Sequence, residues 1–64
     1  MELLIRQVRE SRQMSLEELS RRSGISKAFL SYLERNEKQP TIPTLVRIAK
    51  ALNVKEQELY KVEW

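Results

Sequence analysis

Just after the chain's single glycine, Gly24, come Ser26, Lys27, Ala28, Ser31 and Tyr32. They combine hydroxyls that donate or accept, an ammonium that donates and a small apolar residue. Carried on one helix, such a set suits the edges of base pairs, because an α-helix matches the width of the DNA major groove. Serine and tyrosine hydroxyls pair with several bases, so no base-by-base code follows. Catalysis has far less to work with. The 64-residue sequence contains no Cys and no His, which removes Cys and His nucleophiles, a His general base and every His-assisted triad. Only Ser, Lys and Glu remain, with no convergent arrangement among them, and the reading is of a protein that is not an enzyme. The same absences leave no disulfide staple and make zinc a poor candidate, so neither metal nor cofactor is expected.

The elements that must hold these residues are short helices. Leu4, Ile5 and Val8 predict a first helix over residues 2–12 that stops near Gln13. Ser15 is an N-cap with Glu18 three residues on, the capping-box pattern that opens a second helix with Leu16 and Leu19 on its apolar face. Gly24, free to adopt the left-handed conformation, ends that helix at about Ser23. Ser26 caps a third helix striped by Phe29, Leu30 and Leu33, with Asn36 as its left-handed exit. Thr41 caps a fourth, with Pro43 in its first turn and Leu45, Ile48, Ala49 and Leu52 at core-facing spacing. Asn53 ends it, and a short fifth helix over residues 55–60 brings Leu59 to the core. No alternating strand pattern competes, so the expected class is all-α.

The second and third helices, joined by a short turn at Gly24, form a unit that holds the later helix steeply across the earlier one and exposes its N-terminus. Such an end is a positive pole with free N–H groups, suited to a phosphate. In this helix-turn-helix geometry Leu19, Ile25, Leu30 and Leu33 belong to the core, and Ser26, Lys27, Ala28, Ser31 and Tyr32 are left to meet base edges. Charge agrees in location. The net charge is +3, from 12 Lys and Arg against 9 Asp and Glu. Arg21 to Lys38 holds five basic and two acidic residues, which is the whole excess. Ordinary solvated charges would give the same composition, and it is the spacing that favours nucleic acid.

Residues 1–64 are expected to form one small domain. The longest unbroken aliphatic run is Leu3, Leu4 and Ile5, far short of the roughly 20 residues that span a bilayer, and Met1-Glu2 lacks a basic signal region. A reduced, cytoplasmic location without a membrane partner is the expectation.

Five pieces of sequence occur in order: Ile5-Arg6-x-x-Arg9, Ser15-Leu16-Glu17-Glu18-Leu19, Gly24-Ile25-Ser26, Leu30-Ser31-Tyr32-Leu33-Glu34-Arg35-Asn36, and Pro40-Thr41 with Leu45-x-x-Ile48-Ala49-x-x-Leu52-x-Val54. Together they cover nearly the whole chain, which resembles the phage-repressor and Cro-type helix-turn-helix family. That resemblance implies a compact five-helix, lambda-repressor-like domain with its helix-turn-helix over residues 16–35. It also implies a transcription regulator, expected to be a repressor, that binds double-stranded DNA sequence-specifically as a homodimer on an inverted repeat. The two recognition helices would lie about 34 Å apart. Base contacts fall on Lys27, Ala28, Ser31 and Tyr32, with Ser26 at the backbone or the first base. Phosphate contacts fall on the main chain of Ser15 and Leu16, on Arg35 and Lys38, and around Thr41. Arg9 and Glu34 match a structural ion pair between the first and third helices.

The last segment, residues 53–64, matches the region through which family members dimerise, placing Val54, Tyr60, Val62 and Trp64 at the interface. The alternative for this tail is that it folds back over the first helix and covers Leu3 or Leu4. Four positions depart from the family pattern. Leu16 stands where glutamine usually bonds a phosphate, leaving only its main chain for that contact. Ser20 replaces a usual alanine, and Ser23 a usual aliphatic residue, which is expected to weaken the core. Asn36 replaces a usual glycine. The competing function is a protein-interaction module, antirepressor-like or antitoxin-like, in which the same helices bind a protein; a protein co-regulator is also allowed. Leu16 favours that reading, while Lys27 and the basic segment oppose it.

Overall fold

Leu3, Ile5, Leu19, Leu30, Leu33, Leu45, Ile48, Leu52 and Leu59 are almost fully withdrawn from solvent in the computed structural model of the chain, which describes residues 1–62. Ile25 and Ala49 complete this core. Each aliphatic side chain so buried contributes roughly 1.5–3 kcal/mol, so these positions decide which way every element faces. In chain order the elements are β1 (Glu2–Leu3), α1 (Ile5–Ser11), α2 (Leu16–Ser23), α3 (Lys27–Glu34), α4 (Ile42–Leu52), a 3-10 helix (Glu56–Leu59) and β2 (Tyr60–Lys61).

Local signals set most of the boundaries. The Ser15 hydroxyl accepts from the Glu18 N–H at 3.1 Å, that of Ser26 from Phe29 at 3.1 Å, and that of Thr41 from Thr44 at 3.3 Å. Each satisfies an amide that has no partner inside its own helix. Gly24 closes α2 at φ 71°, and Asn53 closes α4 at φ 58°. Asn36, just past α3, also lies at φ 58°. The capping box at Ser15 is made in one direction only. Glu18 turns its carboxylate along the helix instead, accepting from Arg21 at 2.7 Å and Arg22 at 2.6 Å.

The α2–α3 turn is tied by the two serines that replace apolar residues. The Ser20 hydroxyl donates to the Ile25 carbonyl at 2.6 Å, and Ser23 Oγ accepts from the Ile25 N–H at 3.2 Å. Ser23 is buried and its hydroxyl is satisfied, so it adds a constraint on the turn. From α4, Arg47 reaches across to donate to the Gly24 carbonyl at 3.2 Å.

The all-α, five-helix expectation is corrected at both ends of the chain. Among the described residues there are four α-helices, and the expected fifth is a single 3-10 turn followed by extended backbone at Tyr60. β2 pairs antiparallel with β1, setting Leu3 opposite Tyr60 and Glu2 opposite Lys61. Helix α1 therefore starts at Ile5, later than expected, because Glu2 and Leu3 are extended and the Leu4 N–H donates to the Leu59 carbonyl at 2.7 Å. The free edge of β1 is met by a side chain: Asn36 Oδ1 accepts from the Leu3 N–H at 2.7 Å and Asn36 Nδ2 donates to the Leu3 carbonyl at 3.4 Å. The exit of α3 is thereby fastened to the N-terminal strand.

Candidate DNA interface

Helix α3 begins at Lys27, directly after the turn, and its first residues lie on the surface. Ser26, Lys27 and Ala28 are exposed, Tyr32 is 40% exposed, and Ser31 is half-buried. The exposed face follows from the buried one. Leu30 and Leu33 are at 0% exposure and fix the rotation of α3, so side chains off that stripe point outward.

The charged groups at both ends of α3 are already engaged. Lys27 Nζ donates to Glu17 Oε2 at 2.8 Å, which sets the start of α3 beside the first turn of α2, next to Ser15 and Leu16. That hydrogen bond holds the Glu17 carboxyl below the usual carboxylate range. Arg35 makes a two-pronged contact with Glu37, Nε to Oε2 at 3.0 Å and Nη2 to Oε1 at 3.2 Å, and its Nη1 donates to Ser31 Oγ at 2.7 Å. Hydrogen bonding from Arg35 likewise lowers the Glu37 carboxyl. Because both carboxyls are lowered, both stay ionised at neutral pH and protonate only as the pH falls below the usual carboxylate range. The Arg35 guanidinium and the Lys38 ammonium each stand 5.2 Å from the centre of the Tyr32 ring, so the ring is held by two cations. One cluster thus gathers Ser31, Tyr32, Arg35 and Lys38, and a second gathers Lys27 with the start of α2.

The remaining candidates have other surroundings. Ser15 and Thr41 spend their hydroxyl oxygens as helix caps, and the opening amides of α2 and α4 are the groups left for an anion. Leu16 is half-buried and packs against the core. Arg9 of α1 and Glu34 at the end of α3 join the two helices in a two-pronged contact, Nε to Oε2 at 2.6 Å and Nη2 to Oε1 at 3.0 Å, with Arg9 Nη1 donating to the Met14 carbonyl at 2.9 Å. The Glu34 hydrogen bond raises the Arg9 pKa further above its ordinary value. Near the C-terminus Val54 and Tyr60 are half-buried against the core, the Tyr60 hydroxyl donates to Glu56 Oε1 at 3.0 Å, and Val62 is 48% exposed. Trp64 lies outside the described residues.

Two residues of this surface were missed in the sequence, Glu17 and Glu37. Glu37 is two residues from the arginine it holds, close enough for its charge to have been a signal. Glu17 becomes a neighbour of Lys27 only through the turn at Gly24. No helix among the described residues is long and apolar enough to cross a membrane.

A sharp turn between two short helices, with the start of the second exposed, defines a helix-turn-helix domain. The chain belongs to the helix-turn-helix family, whose HTH_3 model matches residues 5–59. It is similar to the HTH-type transcriptional regulator SutR of Escherichia coli, 48% identical over 50 residues that make up 78% of this chain and 28% of that one. It is also 37% identical to the control protein C.SmaI of Serratia marcescens over 77% of this chain and 58% of that one. Among solved structures, the restriction-modification controller protein C.AhdI of Aeromonas hydrophila superposes with a TM-score of 0.83 at 25% identity, covering 88% of this chain and 85% of that chain. The chain spans less than two thirds of the length of the two sequence relatives.

Proposed function

We propose that this chain is the DNA-reading part of a transcription regulator, inserting the start of α3 into the major groove of an inverted-repeat operator as a homodimer. The observation that carries this reading is the outward face of α3, where Lys27, Ser31 and Tyr32 gather beside the opening turn of α2 and the loop after α3. Base edges are met by Ser26, Lys27, Ala28, Ser31 and Tyr32. The backbone is met by the main chain at Ser15 and Leu16, by Arg35 and Lys38, and at Thr41. Arg9 and Glu34 are scaffold. Repression follows from occupying a promoter in the cytoplasm, with no cofactor required.

Selection from a random duplex library at about 150 mM salt, where phosphate binding without sequence preference is weakened, tests the reading. An enriched inverted repeat with half-site centres about 10 base pairs apart is the expected result. Lys27→Ala and Tyr32→Ala are each expected to weaken the selected operator about fivefold to a hundredfold with unchanged helical circular dichroism. A folded protein that enriches no duplex, or two variants with unaltered affinity, would move the function to binding a protein partner.

The dimer contact is placed at Val54, Tyr60, Val62 and Trp64. Support comes from Val62, which is exposed beside the exposed Met1 and leaves apolar surface for a second copy to cover. Val62→Asp is expected to shift the chain toward monomer in sedimentation without loss of helix. An unshifted dimer would place the contact elsewhere.

A further inference from the structure

Two of the three cations assigned to DNA in this reading, Lys27 and Arg35, are each held by a carboxylate of the same chain. Lys27 Nζ lies 2.8 Å from Glu17, and Arg35 grips both oxygens of Glu37 at 3.0 and 3.2 Å. We propose that Glu17 and Glu37 are specificity-determining residues, which occupy Lys27 and Arg35 in the free protein and release them only to a matching DNA site. The proposal rests on the DNA-reading function above and adds to it how unmatched DNA is refused.

Burial separates these pairs from the scaffold. Side-chain exposure is 56% and 66% for Lys27 and Glu17, and 50% and 51% for Arg35 and Glu37, against 13% and 8% for Arg9 and Glu34. Exposed ion pairs contribute little to folding stability and exchange readily, so the outer two are poor candidates for fold-holding contacts. Their effect falls on the surface field instead. Lys27 and Arg35 are two of the five basic residues in the segment that carries the net excess of charge, and the neighbouring carboxylates cancel much of what they present. Lys27 is also the first residue of α3, where the helix dipole disfavours a cation, and Glu17 offsets that repulsion.

Any duplex, whatever its sequence, offers phosphate oxygens in the same helical array. To bind them, Lys27 or Arg35 must leave its carboxylate, and the carboxylate is then stranded near the negative backbone. A matched operator returns more than it displaces, because a base-edge acceptor takes the released Lys27 ammonium and seats α3 in the register that brings the released Arg35 squarely onto its phosphate. An unmatched duplex returns only the phosphate interaction. The carboxylates therefore penalise unmatched DNA more heavily than the operator, and the ratio of the two affinities rises.

The test measures binding of the wild-type chain, Glu17→Gln, Glu37→Gln and the double variant to the selected operator and to a scrambled duplex of equal length, over a range of salt. Glu10→Gln is the control, since it raises net charge equally but removes a carboxylate paired to Arg6 on α1. Each interface variant is expected to bind the scrambled duplex about threefold to tenfold more tightly and to steepen its salt slope by about 1 as a freed cation takes a phosphate. Operator affinity should change less, so the operator-to-scrambled ratio falls, furthest in the double variant. All four side chains are exposed, and circular dichroism confirms that the variants are folded. A ratio unchanged from wild type, or lowered equally by Glu10→Gln, overturns the proposal while leaving the DNA reading intact. A wild-type chain that binds neither duplex removes the DNA reading, and this proposal with it.

Discussion

Arg9→Ala, with Glu34 left in place, is expected to cost the fold about 3–5 kcal/mol, because it strands a carboxylate that is only 8% exposed. Two hydrogen bonds to Glu34 and one to the Met14 carbonyl disappear together, at 2.6, 3.0 and 2.9 Å. A domain of this size has a total stability of roughly 3–10 kcal/mol, so the loss removes a large share of it and shifts the urea midpoint well down. Urea denaturation followed by helical circular dichroism measures the loss. Arg9→Lys should recover only part, since an ammonium lacks the planar fork that reaches both carboxylate oxygens. Replacing Arg9 and Glu34 together by Met and Leu should come back close to wild type, as no uncompensated charge then remains. A loss under about 1 kcal/mol for Arg9→Ala would show the pair behaving as an exposed one.

What the sequence revealed about this fold was local. Ser26 and Thr41 announce helix starts, and Gly24, Asn36 and Asn53 announce exits, because caps and left-handed residues act within a turn of their own position. The stripe of Leu45, Ile48, Ala49 and Leu52 is legible for the same reason. The two strands were not, since two residues are too few to show a period of two and their pairing joins the ends of the chain. The spacing of Leu4, Ile5 and Val8 put the first helix from residue 2, although Leu3 enters the core from extended backbone. At the candidate interface the outward residues of α3 follow from its stripe, but their partners do not. Glu17 meets Lys27 and Asn36 meets Leu3 only because the turn and the strand pair bring distant residues together.

Leu59→Ala is the second substitution expected to act strongly, at about 2–5 kcal/mol for a leucine with 0% exposure. Leu59 packs the 3-10 helix into the core, its carbonyl accepts from Leu4 at 2.7 Å, and the next residue, Tyr60, begins the strand opposite Leu3. A cavity here loosens the closure of both chain ends. Its consequence for DNA binding should differ in kind from that of Glu17→Gln. Leu59 lies in the 3-10 helix, which packs on α4 and α1 and not on the outward face of α3, so truncating it should reduce the folded fraction without altering what the folded fraction reads. At protein concentrations where the variant still dimerises, apparent affinities for operator and scrambled duplex should fall by the same factor, with their ratio unchanged. Saturating operator should restore helical content, because a ligand that binds only the folded chain stabilises it by mass action. Thermal unfolding with and without operator, beside the two affinities, makes the measurement. A changed ratio in a variant that sedimentation shows to be dimeric would place the C-terminal closure within the reading surface, and a stability loss under about 1 kcal/mol would show the core collapsing to fill the cavity.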